Sequence, residues 1–192
     1  MIFVVSGPGG VGKGTIVSRL RERMPDLWVS RSWTTRTRRP GEPATAYTFV
    51  DRDLFLAHAE QGGFLEWAEL AANHELYGTP WPEAPPGVDV LLEIDLQGAA
   101  QVRERHPEAV VILVVAPSPH AQAARMRARG DSEEQVQARL ALGLEEERAG
   151  RELADHVVVN DELDRAVEEV AGILSRSPRA PGDEAWPYSS RR

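Results

Sequence analysis

Gly7-Pro8-Gly9-Gly10-Val11-Gly12-Lys13-Gly14-Thr15 stands between an apolar run, Ile2-Phe3-Val4-Val5-Ser6, and a segment of helical pattern, Gly14–Met24. A Gly-x-x-x-x-Gly-Lys run that leaves a buried-type strand and enters a helix reads as a phosphate-binding loop. Glycines let the backbone curl until successive N–H groups point inward, and the positive end of the following helix adds to the attraction for an anion. Lys13 would reach the terminal phosphates. Residue 14 is Gly where Ser or Thr would ligand magnesium, so Thr15, next in line, is the candidate to take over. The plainer alternative is a strand-to-helix turn that needs glycine for steric reasons alone. Four glycines and a lysine in register after an apolar strand favour the phosphate loop.

Outward from that loop the chain alternates strand and helix. Ile2–Val5, Val88–Ile94, Val110–Val115 and Val157–Val159 are short, β-branched and nearly continuous, the pattern of strands covered on both faces. Trp28-Val29-Ser30 is a weaker fifth. Helical patterns fill the intervals at Gly14–Met24, Leu96–Arg105, His120–Arg129, Ser132–Glu147 and Leu163–Leu174. An α/β fold with a parallel sheet follows, and its ligands gather at the carboxyl ends of the strands. Residues 32–86 break the rhythm with a Pro40-Gly41 turn, a β-like run at Tyr47–Val50 and one helix over Arg52–Gln61. They read as an inserted lobe, being too long and mixed for a simple crossover. Residues 177–192 read as a disordered tail, with Pro178, Pro181 and Pro187 and little apolar content.

Composition narrows the function. With 30 acidic and 22 basic side chains the net charge is −8, which argues against bulk binding of a nucleic-acid polymer. There is no cysteine, so disulfides, zinc-thiolate sites and thiol catalysis are excluded. No apolar run is long enough to span a bilayer, and a soluble, cytoplasmic protein without membrane partners is expected.

Three further groups of residues carry chemistry. Val90-Leu91-Leu92-Glu93-Ile94-Asp95 is an apolar strand ending in carboxylates, where phosphate-loop proteins place an acidic residue to orient magnesium. Glu93 and Asp95 alternate and so share one side. Arg36, Arg38 and Arg39 lie in a turn, and Arg125, Arg127, Arg129 and Arg139 flank Gly130-Asp131-Ser132. Folded as a lid between two helices, that segment would bring Arg129 and Arg139 together, with Arg127 outward. Guanidinium forks match phosphate oxygens and keep their charge. The last group is Ser32-Trp33-Thr34-Thr35-Arg36, Arg39-Pro40-Gly41-Glu42, Tyr47, Phe64-Leu65-Glu66-Trp67 and Tyr77-Gly78-Thr79.

With the phosphate loop, Glu93-Ile94-Asp95-Leu96-Gln97-Gly98, Arg129-Gly130 and Val159-Asn160-Asp161, these motifs resemble the guanylate kinase family, in the family's order, over roughly Ile2 to Leu174. The resemblance implies a phosphate-loop, three-layer α/β fold with a parallel five-stranded core sheet, an inserted monophosphate-binding lobe and a helical lid. It implies one domain over residues 1–176: core 1–31 and 87–176, lobe about 32–86, lid about 125–148. Gly7, Pro8, Gly9, Gly10, Val11, Gly12, Lys13, Gly14 and Thr15 then hold ATP together with Arg125, Asn160 and Asp161. Ser32, Arg36, Arg39, Tyr47 and Tyr77 grip the phosphate of GMP, while Glu66 and Thr79 read guanine with Asp95 nearby. Lys13, Arg39, Arg129 and Arg139 carry the transfer, and Thr15 and Asp95 serve Mg2+, which accompanies ATP.

The implied activity is phosphorylation of GMP, and of dGMP, to the diphosphate by ATP, in a monomer or homodimer. The alternatives are a phosphate-loop kinase with another acceptor and a non-catalytic module that binds phosphopeptides at the GMP lobe. An intact Lys13 and both lid arginines speak against the latter. Departures from the family pattern concern loops: Gly9 replaces a usual Ser, and Trp33 is bulky where a small or polar residue is usual. Asn73–Leu76 lengthens one loop, and proline-rich Trp81–Gly87 replaces a helix.

Overall fold

The computed structural model describes residues 1–39, 41–70 and 74–177. In chain order its elements are β1 (Ile2–Ser6), α1 (Lys13–Arg23), β2 (Trp28–Val29), β3 (Trp33–Thr34), β4 (Thr48–Phe49), α2 (Arg52–Glu60), β5 (Phe64–Glu69), β6 (Leu76–Pro80), β7 (Val90–Glu93), α3 (Leu96–Arg105), β8 (Val110–Val115), α4 (Pro119–Ala128), α5 (Glu133–Leu153), β9 (His156–Val159) and α6 (Leu163–Arg176). The apolar runs pair in parallel as a five-stranded sheet in the order β2-β7-β1-β8-β9. Both faces are covered, which is why β1 is apolar at successive positions. Phe3 and Val5 pack with Ile16, Leu20, Val167 and Val170 of α1 and α6. Ile2 and Val4 face the other way, onto Ala99 and Val102 of α3. Each such side chain contributes about 1.5–3 kcal/mol on full burial, so the two cores hold the sheet as the rigid frame of the molecule. Strand order reverses at β1, between β7 and β8, and that crevice is where the glycine loop emerges.

The inserted residues form a second, four-stranded sheet, β4-β3-β6-β5, mixed in direction and covered by α2 through Phe55, Phe64 and Leu76. Of its strands the sequence reading marked only the β-like run at Tyr47–Val50. Phe64–Glu69 and Leu76–Pro80 escaped it because their buried positions include Glu66 and Thr79, so apolar and polar residues do not alternate. Trp33 is turned into this small core, stacked on His58 at 4.4 Å and edge-on to Phe64. Its bulk is packed against the lobe core.

Among the boundaries that differ from the sequence reading, two have a clear physical reason. The strand expected over Val88–Ile94 is shorter, Val90–Glu93, because Asp95 leaves the sheet to cap α3, accepting from Gly98 N at 2.8 Å. The helix expected to end at Glu147 continues to Leu153. Gly150 allows that extension to lie against β8, since a Cβ there would stand 2.7 Å from Leu113 Cδ1. The Trp81–Gly87 segment is loop, tied back where Trp81 Nε1 donates to Gly62 O at 2.9 Å. Pro40 of the expected turn, Asn73 of the lengthened loop and the tail beyond Ser177 lie outside the described residues. Among the described residues no helix is long and apolar enough to cross a membrane.

Candidate active site

The glycine loop is held from behind by its carbonyls. Gln122 Nε2 donates to Gly9 O at 2.7 Å, and Asn160 Nδ2 and Arg125 Nη1 donate to Val11 O at 2.8 and 3.0 Å. Arg125 also donates to Asn160 O at 2.6 Å, so this arginine braces the loop together with Asn160. With its carbonyls drawn back, the loop leaves its N–H groups for a ligand in the crevice. Gly12 is left-handed, φ 99°, and packs so closely on Asn160 that no side chain fits there. It opens α1 without a side-chain cap, and no acidic residue occupies the first turn, so that helix end keeps its affinity for an anion.

Lys13 Nζ donates to Gly7 O and, at 3.1 Å, to Pro8 O. Burial pushes its ammonium below the usual lysine range, while Glu93, Glu146 and Asp95 oppose that drift. Burial likewise raises Glu93, with Lys13 pulling the other way. The Glu93 carboxylate occupies the space that a larger residue 14 would need: a Cβ on Gly14 would meet its Oε1 at 3.3 Å. Asp95 lines the same crevice with Oδ1 engaged at the α3 cap.

Across the crevice stands the second sheet. Arg36, buried, forms a fork with Glu42 at 2.8 and 2.6 Å, and Glu42 also accepts from Arg39 N at 3.0 Å. Burial works against the Arg36 charge, but the Glu42 pair outweighs it and raises the guanidinium above its usual range. Arg36 lies over the Tyr47 ring at 5.0 Å, and Tyr47 meets Tyr77 edge-on at 6.0 Å. Burial pushes the Tyr47 phenol well up, which keeps its proton available as a donor.

Glu66 is 4% exposed. Burial raises its carboxyl to about 7, against the hydrogen bonds that Thr79 gives it. Ser32 Oγ lies 3.1 Å from Thr79 Oγ1, extending the chain of hydroxyls behind the carboxylate. Phe64 pairs with Pro80 and Glu66 with Thr79, so the register skips Leu65. A β-bulge of this kind re-aims side chains. Phe64 therefore enters the lobe core, Leu65 the main core and Glu66 the crevice.

The third wall is the turn between α4 and α5, the segment expected to serve as a lid. Asp131 binds Arg129 at 2.6 Å and Arg139 at 3.5 Å, bringing the two arginines together; Arg127 points outward and pairs with Glu133. Partial burial works against the Asp131 charge, but these arginines hold its carboxyl below the usual range. Asp161 is exposed and pairs with Arg165.

Loop, second sheet and lid enclose one cleft of about 1310 Å³. Gly7, Gly9, Gly10, Gly12, Lys13, Gly14, Thr15, Arg125, Asn160 and Asp161 line it together with Ser32, Arg36, Arg39, Tyr47, Glu66, Tyr77, Asp95, Arg129 and Arg139. Of the candidate site residues named in the sequence, Pro8, Val11 and Thr79 do not line that surface: Pro8 O accepts from Lys13, Val11 O takes the bracing bonds of Asn160 and Arg125, and Thr79 backs Glu66. Sequence reasoning gave no role to Glu42, Asp131, Gln122 or Glu146. The first three orient functional groups, and Glu146 lines the cleft between Lys13 and Arg139. Glu42 follows the arginine turn closely enough for an acid six residues after Arg36 to have suggested a partner. Asp131, two residues after Arg129, was legible as a local partner in the same way, whereas the contacts of Gln122 and Glu146 depend on tertiary packing.

Residues 1–177 match the family model described as guanylate kinase. The chain is 46% identical over 173 residues to the guanylate kinase of Synechococcus sp. (strain CC9311), covering 87% of this chain and 90% of that one. It is 44% identical over 181 residues to that of Rubrobacter xylanophilus (strain DSM 9941 / JCM 11954 / NBRC 16129 / PRD-1), covering 91% and 93%. The crystal structure of guanylate kinase from Anaplasma phagocytophilum superposes with a TM-score of 0.73 at 31% identity, over 91% of this chain and 84% of that one.

Proposed function

The chain belongs to the guanylate kinase family and phosphorylates GMP with ATP, and from that premise we propose which of its residues do the work. ATP lies with its phosphates on the glycine loop, against Lys13 and the N-terminus of α1, with Asn160 and Asp161 at the adenine end. GMP, and dGMP with it, lies in the lobe of residues 32–86, its phosphate between Arg36, Arg39, Tyr47, Tyr77 and Ser32. A GMP phosphate oxygen attacks the γ-phosphorus in line, the bond to the β-phosphate oxygen breaks, and ADP leaves. Positioning and charge stabilisation suffice for such a transfer. Lys13, Arg39, Arg129 and Arg139 meet the charge on the transferring group, and the lid over residues 125–148 excludes water, which would otherwise compete as acceptor.

The donor set of the cleft suits Mg2+. Thr15, Asp95 and Glu93 bring hard oxygen ligands to the loop, and among the described residues no group of three or more His, Cys, Asp or Glu side chains forms an all-protein cage. An ion held by one or two carboxylates, water and substrate phosphates matches that arrangement. Thr15 and Asp95 would hold it, with Glu93 filling the place of the hydroxyl absent at Gly14. When bound it neutralises phosphate charge.

The observation that carries the acceptor assignment is the buried carboxylate of Glu66 facing the glycine loop across the cleft. Guanine offers N1–H and N2–H on one edge, and a carboxylate accepts from both. Adenine presents an acceptor at N1 and strands the carboxylate unsatisfied, the condition under which a polar site rejects strongly. Glu66→Gln is expected to lower kcat/KM for GMP by about 10²-fold while the KM for ATP holds. Steady-state kinetics checks it, and an equal loss with every acceptor would show that Glu66 does not read the base.

A further inference from the structure

Helix α3 rises from the main sheet, yet one of its faces is spent on a strand of the second sheet. Gly98, Gln101 and Arg105 are spaced three and four residues apart and so lie along one side of the helix. Arg105 Nη1 donates to Leu65 O, and Gln101 Nε2 donates to Trp67 O at 2.9 Å. These carbonyls belong to the two neighbours of Glu66. One turn before Gln101 the helix carries glycine, and the Glu66 carboxylate fills the vacated space: a Cβ on Gly98 would stand 2.9 Å from Glu66 Cδ and closer still to Oε2. Leu65 is the residue the β5–β6 register skips, so its carbonyl lies where the ladder is broken and an external donor is needed. Its side chain, fully buried, is packed in the main core with Ala99 and Val102 of the same helix.

We infer that α3 is the dock of the guanine reader: Arg105 and Gln101 grip the bulged backbone on either side of Glu66, and Gly98 gives its carboxylate a seat. The three are positioning residues for base discrimination, acting through Glu66, and the inference rests on the reading of Glu66 given above. The reason for such a device is local. A buried carboxylate has to meet two donors at once, and a bulge next to a sheet edge does not by itself hold a side chain to that tolerance. Two side-chain bonds from a helix fixed in the main core supply the constraint. The Arg105 charge also steadies the ionised form of Glu66.

The test compares GMP with inosine monophosphate, which keeps N1–H and lacks the exocyclic amine. Gly98→Ala, the double variant Gln101→Met with Arg105→Met, Arg105→Lys and Glu66→Gln are assayed with both acceptors and with ATP varied, each after a thermal melt. The double variant adds no bulk beneath Glu66 and keeps the test alive should Gly98→Ala fail to fold. Gly98→Ala and the double variant are expected to raise the KM for GMP by about tenfold or more, with kcat within about threefold and the KM for ATP unchanged. The ratio of kcat/KM for GMP over inosine monophosphate should shrink toward that of Glu66→Gln, and Arg105→Lys, which keeps a charged donor, should restore most of it. A ratio that collapses in Glu66→Gln yet stays at the parent value in folded α3 variants overturns the dock and leaves the reader standing. A ratio that Glu66→Gln itself does not move overturns the reader, and the dock with it. Equal loss in kcat with both acceptors and in the melts would mark the α3 face as structural only.

Discussion

Lys13 and Glu66 face each other across the cleft as ionisable groups under opposite demands. In its proposed role Lys13 needs its charge for phosphate, and burial erodes it, while Glu93, Glu146 and Asp95 sustain it. Its two bonds are to carbonyls of its own loop, so the rest of the fold depends little on it. Lys13→Ala is therefore expected to reduce turnover by at least about 10³-fold while the melting temperature changes little. A melt and a coupled assay decide it, and near-normal kinetics would refute the ATP assignment. As the proposed guanine reader, Glu66 must be ionised to accept from the base, and burial holds its carboxyl up to about 7 against a usual 4.5. Below about pH 7 the free enzyme carries Glu66 protonated, so kcat/KM for GMP should fall about tenfold per pH unit as the medium is acidified. The acceptor phosphate titrates near ~6 and adds its own slope, which a Glu66→Gln control isolates. For folding the sign is the reverse. Between about 4.5 and 7 the native state retains a proton that the unfolded chain has released, so this group costs stability as pH rises.

At the level of elements, the chemistry comes from segments that the fold locks from outside. The arginine turn is one: Glu42 binds Arg36 as a fork and accepts from Arg39 N, so a single carboxylate shapes the proposed phosphate grip. Glu42→Ala should raise the KM for GMP by about tenfold and leave that for ATP alone, since breaking a buried pair strands the arginine. Steady-state kinetics with each substrate varied checks this. Such locks explain what could be read from sequence. The glycine loop, the four apolar strands of the main sheet and the lid arginines are local patterns, each complete within a short stretch of chain. The second sheet was not legible in the same way, because its Phe64–Glu69 strand sends Phe64, Leu65 and Glu66 to three different surroundings through a bulge. The extension of α5 to Leu153 was hidden for a related reason. A polar run at Glu145–Arg148 masks a helix whose Gly150 is chosen by contact with Leu113, far away in sequence.

Across the whole molecule, an acidic chain of net charge −8 gathers Lys13, Arg36, Arg39, Arg125, Arg129 and Arg139 around one cleft. Low-dielectric walls focus such a field on the site and draw in anionic nucleotides, while the acidic exterior discourages polyanions. The two sheets give that cleft two different walls. The parallel sheet presents the glycine loop at its crevice, and the mixed sheet presents the arginine turn and Glu66 opposite. A phosphate loop alone is compatible with hydrolysis, signalling or transfer; the proposed second anion grip and base-reading carboxylate facing it would specify transfer between two nucleotides. The most direct test is a coupled assay of ADP release from ATP with GMP, dGMP, AMP, CMP and UMP offered in turn. Rapid turnover of GMP and dGMP, with the other three slower by at least about 10²-fold, is the predicted result. Equal turnover of the five, or turnover of none by the folded protein, would contradict it.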